Sequence, residues 1–371
     1  VDTTIAIYIF TFANILAALY TTYESMFKAF QKMFFSSASL IFSGGLLLIV
    51  VCMCAMRHAG IIAYSSASLI VGVFTAVLLA VMVRYFLKLR MGNFSLKLCK
   101  YIFVESIPFG VANVFVIIFM QMDTVMLSKM TNASVVGNYN VAYKIIFAMM
   151  FFHTAYMISV YPAISKAFKE SRGDLITTFE KTVKYFIILG LFTAIFVTFR
   201  ANDIIHILYG DKYLLGVSAL RCLIWCYPFI LLSTITADTL NSMNMTRVNM
   251  VFAALAAVLN IGLNLILIPR LSLIGAGIAT IITDIFVFVG AYIVLSRYLV
   301  RINFVAISYK TVIASAVLAL ILIATMKLNL FIAGILALLV YLLVLILLKS
   351  FTKGEYEILK SFFIRDAGRA V

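Results

Sequence analysis

Residues 107–145 read IPFGVANVFVIIFMQMDTVMLSKMTNASVVGNYNVAYKI. Two apolar segments meet here at a polar turn, and both carry polar or ionisable groups where a lipid-facing helix carries hydrocarbon: Gln121 and Asp123 before the turn, Lys144 after it. Extending the window to residues 101–162 adds Glu105 and His153 to the Pro108 already within it. Charges inside apolar spans are costly, so they face a protein interior or a water-filled path. This segment pair is therefore the first place to look for function.

Outward from it, the chain is equally apolar. Hydrophobic residues make up 65% of 371 positions and charged ones 12%, and the mean hydropathy is +1.14. No soluble globular domain has that balance. Apolar runs of about 17 to 24 residues between short polar breaks indicate an all-α polytopic membrane protein. Continuous runs, in place of alternating ones, exclude a β-barrel. The net charge of +15 sits in short loops, where membrane topology explains it and nucleic acid need not. The five cysteines and three histidines show no zinc-ligand or disulfide spacing, so no metal or cofactor is expected.

Eleven spans are expected, over residues 4–20, 36–56, 61–83, 102–122, 135–158, 183–199, 214–235, 250–268, 273–295, 311–326 and 330–348. Of the 29 Lys and Arg residues, 21 fall in one alternating set of loops plus the C-terminal tail, counting Lys184 at the very edge of its span. The other loops hold Arg57, Lys129, Arg200, Lys212, Arg270 and Lys327. The bias places the C-terminus in the cytoplasm of a cell-membrane protein. Sliding the chain by 215 positions lays the first three spans on the seventh to ninth, with Lys32 on Arg247, Leu48 on Leu263 and Gly60 on Gly275. A parallel repeat of this kind relates two six-helix bundles. It predicts three further spans before Val1, about fourteen in all, and divides the chain into the end of one bundle (1–100), a second bundle (101–300), and a helix pair with a cytoplasmic tail (301–371). Residues 165–184 and the basic tail from 349 are expected to form short helices on the membrane surface.

Five residues are candidates for chemistry. Asp123 is expected at the outer end of its span, within reach of Lys144 across the turn. Glu105 lies near the start of the same span, where a helix dipole favours an acid. Asp284 is the deepest acid, and at mid-membrane it has to be neutralised by a proton or a partner; Asn260 and Asn264 are in range. Arg221, inside the seventh span, either snorkels to the surface or forms an anion site, for its fork matches paired phosphate oxygens. No Walker A lysine, Ser/His/Asp set or HExxH occurs, so an enzyme is not expected.

Asp123, Met126 and Leu127, followed by Val136, Gly137, Tyr139, Ala142 and Lys144, resemble the middle of the oligosaccharide flippases, the polysaccharide biosynthesis transporters of the multidrug/oligosaccharidyl-lipid/polysaccharide exporter superfamily. A looser likeness lies at 273–280, LIGAGIAT, with its counterpart at 60–67. The resemblance implies two bundles around a central cavity and a transporter that flips a polyprenyl-linked oligosaccharide to the outer leaflet. Lys144 and Arg221 would offset the diphosphate charge. Asp123 and Asp284 would bind sugar hydroxyls or a coupling cation, H+ or Na+, and Glu105 would line the cavity. The implied partners are the lipid-linked glycan, the bilayer and other glycan-assembly membrane proteins. A multidrug/cation antiporter of the same fold and a lipid-linked peptidoglycan precursor flippase are the alternatives.

Overall fold

The computed structural model describes residues 2–30, 32–87, 95–299, 301–351 and 355. All regular structure among them is helical, and the chain divides into two units, Val1–Cys99 and Lys100–Val371.

The first unit holds α1 (Asp2–Ala29), α2 (Met33–Met56) and α3 (Ile61–Met82), which runs on into one π-helical turn, Val83–Leu87. At 24 residues, α2 is about 36 Å long, enough for a bilayer core of about 30 Å. Its outward residues Phe34, Ile41 and Leu48 are exposed, as lipid contact requires. The main packing is α1 against α3, around buried Phe27, Leu79 and Val83.

The second unit contains most of α4 (Leu96–Met130), then α5 (Ala133–Glu170), α6 (Arg172–Tyr209), α7 (Gly216–Leu223), α8 (Cys226–Ser242), α9 (Thr246–Tyr298), α10 (Phe304–Ala324) and α11 (Leu330–Leu347). Polar residues set the helix starts. Asn132 accepts from Val135 N–H at 3.0 Å, Ser171 from Asp174 N–H at 3.3 Å and Asn303 from Ala306 N–H at 3.0 Å, each satisfying a donor that has no partner within its helix. The surface helix expected over 165–184 does not exist as a separate element: α5 continues to Glu170, Ser171 breaks the chain, and α6 starts at once. The expected tail helix lies almost wholly outside the described residues.

Two spans have irregular form. α7 and α8 meet at a bend of 41° and are together long and apolar enough for one broken span. α9 has 53 residues, about 80 Å if straight and far more than a bilayer needs. It is two arms folded back at Ser272, whose backbone leaves the helix at φ 52°, ψ −129°. The fold is tight: a Cβ on Gly275 would sit 2.4 Å from the carbonyl oxygen of Leu267. With these two readings, each of the eleven expected spans has its helix among the described residues. The packing of α8 on α9 repeats that of α1 on α3, as the 215-residue offset requires.

The core of the second unit lies between α5, α6, α7 and α8, around Tyr139, Phe179, Phe186, Leu220 and Tyr227. α10 packs on α6 and α11, and α11 turns only the stripe Ala333, Ala337, Tyr341 and Leu345 inward. Small residues in such a stripe permit close approach where lipid offers no hydrophobic drive. Arg200, expected in a loop, is instead 2% exposed near the end of α6. Its guanidinium donates to the carbonyls of Thr325, Met326 (3.1 Å) and Leu328 (3.3 Å), past the last turn of α10, and to Asp203 at 3.0 Å. Arg200→Met leaves those carbonyls uncapped and is expected to cost about 2–4 kcal/mol, read as a lower unfolding midpoint together with faster proteolysis between α10 and α11.

Candidate functional site

Asp123 lies seven residues before the end of α4 and is 3% exposed. The expected position at a membrane interface is therefore corrected: the apolar run stops at Met122, but the helix continues two turns further. Its carboxylate meets three donors. Oδ2 accepts from the Tyr139 hydroxyl at 2.5 Å and the Thr280 hydroxyl at 2.5 Å, and Oδ1 accepts from Asn264 Nδ2 at 2.6 Å. Asn264 Nδ2 also reaches Asn260 Oδ1 at 2.9 Å. Bonds of this length occupy all but one of the roughly four lone-pair positions that a carboxylate presents.

Helix arithmetic explains the convergence. Asp123 and Tyr139 lie 16 residues apart, eight on either side of Thr131 in the α4–α5 turn. Asn264 and Thr280 lie eight on either side of Ser272 in α9. Equal counts from a turn put two residues at equal depth, about 12 Å down each arm. The two hairpins thus deliver four side chains to one level.

The other candidates are placed apart from this node. Lys144 is exposed on α5 and Tyr139 takes the role of neighbour to Asp123 that Lys144 was expected to have. Glu105 is exposed on α4. Arg221 is exposed on α7, with Nε donating to the Thr198 carbonyl at 3.2 Å. Asp284, one turn beyond Thr280 on the same face, is 5% exposed, and its Oδ2 has no hydrogen-bond partner. Asn264, proposed from sequence as its partner, serves Asp123 instead. A cavity of about 220 Å³ connects the two acids, lined by Phe119 and Met120 of α4, Tyr143 of α5, Ser233 and Thr234 of α8, and Asn249, Phe252 and Val287 of α9. Among the described residues no group of three His, Cys, Asp or Glu is arranged to hold a metal ion; the oxygens of this site come mostly from amides and hydroxyls.

Reading single residues misses Tyr139 and Thr280 as partners of Asp123, and it assigns Asn260 and Asn264 to the other acid. Tyr139 and Thr280 do fall inside the two quoted likenesses, and the signal that finds them is their equal distance from a turn.

Two family models match the chain: "Polysaccharide biosynthesis protein" over residues 1–168 and "MatE" over residues 108–266. The overlap holds Asp123 and Tyr139. Each model covers a little under half of the chain, and both agree with the resemblance to the multidrug/oligosaccharidyl-lipid/polysaccharide exporter superfamily drawn from the sequence. Solved structures of similar fold include the lipid II flippase MurJ in an inward closed conformation, with TM-score 0.72 and 16% identity, covering 96% of this chain and 73% of that one. Next come a point mutant of a MATE protein, with TM-score 0.64 and 14% identity over 78% and 68%, and an inward-facing multidrug resistance MATE transporter, with TM-score 0.60 and 15% identity over 71% and 64%. An uncharacterized membrane protein of Methanocaldococcus jannaschii, MJ1068, is 25% identical over 190 residues, 51% of this chain and 38% of that protein. The chain thus spans well under two thirds of this curated relative's length. In this chain the motif from Asp123 to Tyr139 is a core contact: Met126, Leu127 and Ala142 around it are buried.

Proposed function

We propose that this exporter-superfamily chain serves as a flippase for a polyprenyl-linked oligosaccharide in surface glycan synthesis, driven by a monovalent cation bound at Asp123. The match to the polysaccharide biosynthesis model over residues 1–168 carries the substrate class. The glycan headgroup crosses while the polyprenyl tail stays in lipid. Lys144 and Arg221, both exposed cations of the second unit, face the diphosphate charge. The C-terminus lies in the cytoplasm, by the Lys and Arg bias of the loops.

The node supports the coupling role. Asn264 is fully buried and its Oδ1 has no partner. Turning that amide brings a set of oxygens from Asp123, Asn260, Asn264 and Thr280 onto one point, a shell that suits a hard monovalent cation. Occupancy then replaces hydrogen bonds between two hairpins with cation–oxygen bonds, a change able to bias two conformations. The solved structures of similar fold include a lipid II flippase and MATE transporters alike, so the preference for a lipid-linked substrate rests on the family match over residues 1–168 and not on the fold.

Cells deprived of the protein are expected to accumulate lipid-linked sugar on the cytoplasmic leaflet, read by accessibility to an impermeant glycosidase. Restoration by the wild type but not by Lys144→Ala combined with Arg221→Ala supports the assignment. Unchanged glycan export in that double variant removes both residues from the diphosphate role.

A further inference from the structure

The chain leaves α11 by a sharp and well-supported turn. The Leu348, Lys349 and Ser350 amides donate back to the carbonyls of Val344, Ile346 and Leu345, each at 2.9 Å, the pattern of a helix stopped by a left-handed residue. That residue is Lys349, at φ 49°. Glycine is the usual choice there, because a Cβ is crowded in this conformation. A lysine is held in it only with help from its surroundings, and two helices give that help. Lys310 of α10 donates to the Lys349 carbonyl at 2.7 Å, and Lys184 of α6 to the Ser350 carbonyl at 3.2 Å. Both cations sit at the negative end of the α11 dipole.

The turn sends the chain onto α6. Phe351 packs on the cluster shared by α6, α10 and α11, with Lys184 Nζ 5.6 Å from its ring centre, a cation–π distance. Glu355 is 8% exposed, and its oxygens accept from two consecutive residues of α6. Oε2 takes the Lys184 ammonium at 2.7 Å and Oε1 the Tyr185 hydroxyl at 2.6 Å. Tyr185 meets Tyr156 of α5 edge-on, ring centres 6.3 Å apart, and the Tyr156 hydroxyl lies 3.1 Å from Thr182 Oγ1. An ammonium and a phenol so placed suit one carboxylate. At the other end of the hairpin Arg200 grips backbone carbonyls, which are fixed in place. Glu355 is a side chain beyond the last helix, 171 residues from Lys184, and another carboxylate can replace it.

We propose that Lys184 and Tyr185 form a receptor for an acidic-aromatic peptide, filled in cis by Phe351 and Glu355. The segment after α11 is thereby a releasable strap that ties α11 to α6 and, through Tyr185, to α5. A peptide of the same pattern competes for the receptor. Tethering gives the chain's own segment an effective concentration in the millimolar range, so a free competitor acts only at comparable concentration. None of this depends on which substrate the protein carries.

The test is cleavage after Lys353 by endoproteinase Lys-C, in the purified full chain in phosphatidylcholine nanodiscs, with the released fragment identified by mass. Cleavage follows the population of the opened strap when closing is fast. Glu355→Gln is expected to speed it at least about tenfold, as loss of a buried ion pair requires. Tyr185→Phe is expected to have a smaller effect and to add nothing to Glu355→Gln, since both remove one contact. Wild-type chain is then exposed to a lysine-free peptide, SFTAGEY, which is residues 350–356 with alanine in place of the lysine. At millimolar concentration it is expected to speed cleavage, and the same peptide with glutamine for its glutamate is not; this arm needs no substitution in the protein. Unchanged cleavage in Glu355→Gln, single effects that multiply in the double variant, or equal action of the two peptides overturns the proposal.

Discussion

Asp123→Ala is expected to lower the unfolding midpoint of the purified chain sharply and to abolish any stabilisation by sodium. The Tyr139 hydroxyl, 1% exposed, loses its acceptor, while Asn264 retains Asn260 and Thr280 retains the Ala276 carbonyl at 3.1 Å. One orphaned buried donor plus two lost charge-assisted bonds comes to about 3–5 kcal/mol, offset in part by relief of a desolvated carboxylate. Asp123→Asn keeps an acceptor for Tyr139 and is expected to recover most of the stability but none of the sodium effect, which reaches about 2.7 kcal/mol at a hundredfold excess over Kd. The measurement is thermal unfolding followed through Trp225, the single tryptophan. Equal midpoints and equal sodium responses in all three proteins remove Asp123 from both roles.

Gly275→Val is expected to prevent the two arms of α9 from closing. Its Cβ would meet backbone on the opposite arm, the carbonyl oxygen of Leu267 at 2.4 Å and its carbon at 2.6 Å, and neither can rotate away. Opening the arms also carries Thr280 away from Asp123. Forced overpacking of backbone costs at least about 3 kcal/mol, so folded, monodisperse protein on size exclusion should fall severely. Gly262→Val on the other arm is the control, because a Cβ there meets nothing within 4 Å. Equal yields for the two variants contradict the hairpin.

The class and the spans were legible because the bilayer imposes them: run length and loop charge respond to hydrocarbon thickness and to insertion, which are the same for every such protein. The partners of Asp123 were not legible from hydropathy, because Tyr139 and Thr280 sit in apolar runs that would be apolar without them. Arg200 misled for a related reason. Its charge marks a loop in a count of residues, and only the carbonyls beyond α10 show that it is a buried cap. Likewise the break between the eighth and ninth spans looked like an ordinary short loop around Arg270, yet the chain reverses on Ser272 alone, a single non-helical residue.

The three bonds of Asp123 also set a schedule for the growing chain. Tyr139 follows it by 16 residues, Asn264 by 141 and Thr280 by 157. During synthesis the acid enters the membrane long before two of its donors are made, and the adjoining α4–α5 hairpin supplies a first partner from within itself. That hairpin can be inserted as a self-satisfied unit and wait there. The arrival of the second arm of α9 then locks it, so the assembly of the bundle ends where its carboxylate began.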